Sequence, residues 1–341
     1  MAEAPPRPEG EHPRSLVRAV LPFVVSIALV AFVLARLDLK AFQEQLARVS
    51  APSFLAFAAV FVVSLCAADS LATVLVYRRS VAPIRFRDFF ILRGASYLPS
   101  LLNHHVGQAF LTVALSRIHG VPLARVAGAT LLVYASWMGS ILGLSCVAIV
   151  LGDKPLLWLA VPLGAGSLYL ALLAIRPARL SSLRVLAPLF EAGVRGHLWA
   201  LFARLPHLVV LFVGTWVPFW FFDVRIPPAP AFAFIPVLMV AVTLPITPQG
   251  FGTRDVLAAT LLEPFAPFPT HEERLAAIAA STTAWGVAIT LIEIVFALLL
   301  LRFVTPIPTT TSAPLSEAGP APGRPEFLPE GQPVAPDDPR G

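Results

Sequence analysis

The chain has 341 residues, of which 57% are hydrophobic and 13% charged, and a formal net charge of +5. A water-soluble globule carries about a quarter charged residues to keep its surface solvated, so a surface this poor in charge excludes an ordinary soluble domain. The arginines gather beside apolar runs instead of forming a basic face with interleaved aromatics, which argues against nucleic-acid binding.

In chain order, residues 1–14 are rich in Pro and Glu and are read as a disordered tail. Arg14 and Arg18 then precede an apolar run from Ala19 to Ala35. Val33-Leu34-Ala35 has the look of a signal-peptide cleavage site, but further spans follow, and an uncleaved signal-anchor helix is expected. The run Pro52–Tyr77 is long enough to span and stops at Arg78-Arg79. Residues 89–116 are apolar yet interrupted by Arg93, Gly94, Pro99, Asn103, His104, His105, Gly107 and Gln108. Clean spans return at Val126–Val150 and Leu156–Ile175. The arginine-bearing stretch 176–204 is expected to lie along the membrane surface as an amphipathic helix. A span at Pro206–Phe222 leads to a second broken segment, 229–265, and a last span covers about 275–301. Residues 304–341 have no apolar periodicity and read as a disordered Pro-rich tail.

Long apolar runs without alternation are helices and not barrel strands, because lipid leaves no partner for open backbone groups. The expected fold is therefore an all-α polytopic membrane protein with a single transmembrane domain over 15–303. It has about six spans and two broken, re-entrant helical hairpins. That model puts both termini on the side richer in Lys and Arg, which the positive-inside rule makes cytoplasmic. It also gives residues 19–150 and 156–301 the same order of span, span, hairpin, span, in opposite orientation. Weak local likeness supports a repeat: Leu98-Pro99 precedes Gly107-Gln108, as Leu244-Pro245 precedes Gly252-Thr253. Inverted repeats with broken helices are a transporter architecture.

The densest chemistry lies at 244–255. Pro245 and Pro248 end a helix, and Gly250 and Gly252 permit a sharp reversal. Thr253, Arg254 and Asp255 then open a new helix whose first amides are free to receive an anion. An unpaired arginine in hydrocarbon costs on the order of 3 kcal/mol, so Arg254 needs a partner. A phosphate suits it; Asp255 is the bland alternative, although adjacent helical residues do not face each other.

This run resembles a motif of the lysylphosphatidylglycerol synthase transmembrane region family, also described as flippase-like membrane proteins. Pro248, Gly250, Gly252, Arg254 and Asp255 occupy the family's places, with Asp for the usual Glu and Gln249 where a glycine is usual. At the family's first motif Pro99 and Gly107 match, but its arginine and aspartate are missing, and Arg117 follows later. The resemblance is to the transmembrane region alone, and no soluble synthase domain of the kind some members carry is expected. The resemblance implies movement or presentation of lipids across a membrane. Asn103, His104, His105 and Gln108 then stand as a polar lining in place of the missing arginine, or as structural hydrogen-bonders.

Arg93 reads equally as a head-group ligand or a snorkelling residue. Asp69 and Glu293 lie inside spans, where acids are rare. They are candidate proton or counter-ion sites, or structural ion-pair partners of a hairpin arginine or histidine. Adjacent histidines point apart on a helix, so no metal is expected. Cys66 and Cys146 read as small buried hydrophobes, and no cofactor is expected.

The leading expectation is a flippase-like protein of a bacterial inner membrane. Its cargo would be an anionic phospholipid or a polyprenyl-linked lipid, and no catalytic motif is recognisable. The alternatives are a non-transporting partner of an envelope-biogenesis enzyme, and a membrane-embedded lipid-dependent transferase.

Overall fold

A computed structural model describes residues 39–304 except 103, 153 and 244–252. The first expected span, both tails, Asn103, Gly250 and Gly252 lie outside the described residues. Within them the chain is helical, with no strand. Five helical segments are long and apolar enough to cross a bilayer: Ala51–Ser80, Leu123–Leu151, Leu156–Ile175, Ala187–Phe222 and His271–Leu301. The protein is an all-α polytopic membrane protein. Large apolar side chains such as Leu157, Val161 and Ile175 are 81%, 75% and 73% exposed, a surface that suits lipid and not water.

The helices are α1 (Leu39–Arg48), α2 (Ala51–Ser80), α3 (Phe86–Ala95), α4 (Tyr97–Leu102), α5 (His104–His119) and α6 (Leu123–Leu151). They continue as α7 (Ala160–Ile175), α8 (Ala187–Ala203), α9 (Leu205–Trp216), α10 (Pro228–Thr243), α11 (Thr253–Leu262) and α12 (His271–Leu301).

Both broken segments fold as helical hairpins whose flanks meet. In the first, α3–α5, the chain reverses so tightly that a Cβ on Gly107 would sit 2.9 Å from the Ser96 carbonyl. Ile84 and Arg85 at its start share a surface recess with Ile118 and His119 at its end. In the second, α10–α11, the Arg225 amide donates to the Phe265 carbonyl at 3.1 Å, which joins entry to exit. Helix α12 shows that the two bases lie at opposite ends of the bundle. Its last residues lead to Phe303 and Val304, which line the recess at the first base. Its first turn holds the second base: His271 Nδ1 lies 2.6 Å from Glu263 Oε1, and Arg274 Nε lies 3.1 Å from the same oxygen. A 31-residue helix is about 46 Å long, so the hairpins enter from opposite sides, in the inverted order read from hydropathy.

The stretch 176–204 does not lie along the surface as expected. Only its first part is a connecting loop with one helical turn; from Ala187 it joins α9 in a single 36-residue span. Hydropathy misplaces it because Arg204 is neutralised by a partner distant in sequence. Within α8 the backbone turns left-handed at Gly193 (φ 57°), a conformation open to glycine. The Gly193 carbonyl left free there pairs with His197 Nδ1 at 2.8 Å.

Close packing explains why small residues recur on these faces. Helix α9 meets α2 at Gly214, where an added Cβ would overlap the Phe61 ring. Gly214→Val is expected to lower stability by about 1–3 kcal/mol through overpacking. Gly143→Ala, where nothing lies within 4 Å of the new carbon, is expected to leave the melting temperature unchanged. Equal melting of the two variants in detergent would contradict this packing.

The second base adds a pH dependence. The hydrogen bond with His271, ahead of the one from Arg274 and against weak desolvation, holds the Glu263 carboxyl below its usual range. A depressed carboxyl contributes stability above its unfolded value and loses it as pH falls through the folded one. The melting temperature of wild type is therefore expected to exceed that of Glu263→Gln near neutral pH. The gap should close below about pH 4, and a gap constant with pH would refute the assignment. Thr270 caps α12 reciprocally with Glu273, a capping box that fixes the start of the helix beside the second base.

Candidate functional site

Two polar centres lie inside the bundle. The first is built on α2, whose inward face carries Cys66, Asp69, Ser70 and Thr73 among small apolar residues. Asp69 is only 8% exposed, and two arginines share its carboxylate. Arg93, from the first hairpin, brings Nε to 2.7 Å from Oδ2. Arg204, at the α8–α9 junction and 3% exposed, donates from Nη1 to Oδ1 at 3.0 Å. Arg204 Nε donates to Ser136 Oγ at 3.1 Å, and His207 Nε2 lies 3.9 Å from Asp69 Oδ1. One acid is thus clamped between cations from two separate elements, and Arg93 also faces the Tyr97 ring at 5.6 Å.

The second centre surrounds Arg254, in the first turn of α11. Its Nη2 donates to the Thr282 carbonyl of α12 at 2.7 Å, and its Nε lies 3.7 Å from Asp255 Oδ1. The two neighbours in sequence therefore do approach, because both side chains bend into the packed interior. Arg254 lines a cavity of about 180 Å³ with Thr215, Ser281, Trp285, Thr290 and Glu293. The Ser281 hydroxyl is buried there without a hydrogen-bond partner among the described residues. Thr282 and Glu293 are eleven residues apart on α12, about 16 Å along the axis. Arg93, whose helix packs on Phe296 and Leu300 of α12 through Gly94, acts electrostatically on Glu293 from the other side. The two hairpins thus bring one arginine each toward Glu293.

His104, His105 and Gln108 of the first hairpin are not among the described residues that line this cavity. His104 and His105 lie edge to face at 6.0 Å, His104 also faces Tyr134 at 6.4 Å, and neither lines the space around Arg254. The Gln108 carbonyl accepts from Thr112 within its own helix. Among the described residues no group of His, Cys, Asp or Glu is placed to hold a metal. Asp223 and Arg225 pair at 3.4 Å on the surface.

The model of one family, described as Lysylphosphatidylglycerol synthase TM region, matches residues 19–278, more than half of the chain. The chain belongs to that family. Membership ties this multi-pass membrane protein to lipid handling. The matched region takes in both hairpins, Asp69, Arg204 and Arg254, and stops before Glu293. Neither a curated protein nor a solved structure matches the chain.

Arg204, His207 and Ser136 were not among the residues singled out from sequence. The available signal was Asp69 itself: a buried carboxylate requires a cation, and Arg204 stands immediately before a long apolar run.

Proposed function

We propose that this family member binds the anionic head group of a lipid inside the bundle and passes it across the membrane, while the acyl or prenyl tails stay in the bilayer. The observation that carries this reading is the pair of hairpins from opposite ends, each bringing an arginine toward α12 (Arg93 at 11% and Arg254 at 11% side-chain exposure). Arginine is the side chain best suited to a phosphate, through paired charge-assisted bonds. A site between inverted hairpins is reachable from either side in turn. The reading assigns the chain no catalytic step. The end bearing Arg78, Arg79, Arg85, Arg87, Arg117 and Arg125 faces the cytoplasm of a bacterial inner membrane by the positive-inside rule.

The test is head-group movement in proteoliposomes of the purified full chain, with fluorescent phosphatidylglycerol, phosphatidylcholine and a polyprenyl phosphate as parallel probes. Faster quenching of an anionic probe, with phosphatidylcholine unmoved, is the expected result. If folded protein moves none of the probes, translocation is wrong and a non-transporting partner of an envelope enzyme takes its place. Product formed from a labelled lipid donor would instead point to a transferase.

A further inference from the structure

The interior charges of the described residues are matched one to one. Arg93 and Arg204 face Asp69 and, through Arg93, Glu293; Arg254 faces Asp255. The acids are not equivalent. Asp69 is held by both arginines at 3.0 Å or less and has no room to leave them. Asp255 lies 3.7 Å from its neighbour Arg254 and 7% exposed. Glu293 has no hydrogen bond or ion pair among the described residues, yet it lines the same cavity as Arg254. Its ionised form completes the charge balance; its neutral form leaves one surplus positive charge among Arg93, Arg204 and Arg254, of which Arg254 lines the cavity. An entering head-group anion restores that balance only if Glu293 has taken up a proton.

We propose that Glu293 is the site of proton coupling, and that the cavity binds the anionic head group together with one proton on the Glu293 carboxyl. This deepens the lipid-translocating reading and rests on it. The proton enters from water onto a carboxylate oxygen, no other bond changes, and it leaves when the anion leaves. The titratable groups shown to meet Glu293 are Arg93 of α3 and Tyr97 of α4, which act on it electrostatically, and Arg254 of α11, which shares its cavity. Cys66 and Asp69 of α2 and Asp255 of α11 lie on helices packed against α12, and Lys40, Glu44 and Arg48 of α1, which also packs there, are exposed. Of the three interior acids Asp69, Asp255 and Glu293, only Glu293 has no salt bridge among the described residues. Like charges lining one low-dielectric cavity repel, so a head-group phosphate is held more weakly in the cavity while Glu293 is ionised.

Linkage makes the proposal quantitative. If one proton accompanies each lipid, affinity falls about tenfold per pH unit above the range in which Glu293 titrates. The experiment titrates the detergent-purified full chain with dioctanoyl phosphatidylglycerol in a calorimeter between pH 5 and 9. It uses two buffers of different ionisation heat at each pH, so that the difference in heat counts protons. Wild type is expected to take up close to one proton per lipid over part of that range. Glu293→Gln, similar in shape and always neutral, is expected to bind with no proton uptake and no pH slope, while Glu293→Asp restores both. Binding by wild type without proton uptake, or uptake that persists in Glu293→Gln, overturns the coupling and leaves the lipid reading standing. Failure of folded wild type to bind at any pH overturns the lipid reading and the coupling with it. If Glu293→Gln does not fold, Glu293→Asp and wild type decide alone, since an unchanged proton count of zero in both refutes the proposal.

Discussion

Replacing Asp69 by alanine is expected to cost this protein about 3–5 kcal/mol, the largest loss of any single interior substitution. The reason is electrostatic. With the carboxylate gone, Arg93 and Arg204 remain in a region where Arg204 is 3% exposed and, among the described residues, hydrogen-bonded otherwise through Ser136 and its neighbour His207. Breaking a buried pair by removing one partner costs that much because a charge is left without compensation, and here two are left. The neighbouring variants rank the cause. Arg204→Leu leaves Asp69 still paired with Arg93 at 2.7 Å, and is expected to lose less than Asp69→Ala. The double variant Asp69→Ala/Arg204→Leu removes one acid and one base and is expected to recover part of the loss. Thermal unfolding followed by fluorescence-detected size exclusion separates these cases. If Asp69→Ala melts with wild type, the three-residue clamp does not hold α2, the first hairpin and the α8–α9 junction together.

That clamp also marks the boundary of what sequence can convey. Asp69 is conspicuous from its neighbours alone, since an acid inside an apolar run has few bland explanations. Its second partner is not, because Arg204 ends a stretch that hydropathy assigns to the surface. Windowed hydropathy charges every arginine with the same penalty and has no knowledge of a carboxylate 135 residues away. The hairpins were legible for the opposite reason: prolines, glycines and polar residues interrupt apolar runs that are otherwise long enough to span. Their insertion from opposite ends was legible as well, because alternation of spans fixes direction. Side-chain convergence was not. His104, His105 and Gln108 lie near Arg254 in the logic of a repeat, but His104 faces His105 and Tyr134, and none of the three is among the described residues that line the Arg254 cavity. Glu293 was visible as a lone intramembrane acid, whereas its place in the Arg254 cavity depends on how α11 packs on α12.

Arg254→Ala is expected to slow movement of an anionic lipid roughly tenfold to a hundredfold and to leave any movement of a zwitterionic probe unchanged. A hydrogen bond to a charged group contributes about 1.5–3 kcal/mol, and each 1.4 kcal/mol is a factor of ten. The prediction must be separated from a structural effect, because Arg254 also ties α11 to α12 through the Thr282 carbonyl at 2.7 Å. Two measurements make that separation. The melting temperature reports the lost tie, and Arg254→Lys keeps a cation while surrendering the planar fork that grips a phosphate at two oxygens. If the residue acts on the head group, Arg254→Lys falls between wild type and Arg254→Ala in transport of phosphatidylglycerol. A purely structural role would instead make transport follow melting temperature across the three proteins. Wild-type rates in folded Arg254→Ala would remove this arginine from the site and leave Arg93 as the only hairpin cation beside Glu293 among the described residues. The head group would then have to be held from the side of the first hairpin, and its path through the bundle would no longer pass the motif that opens α11.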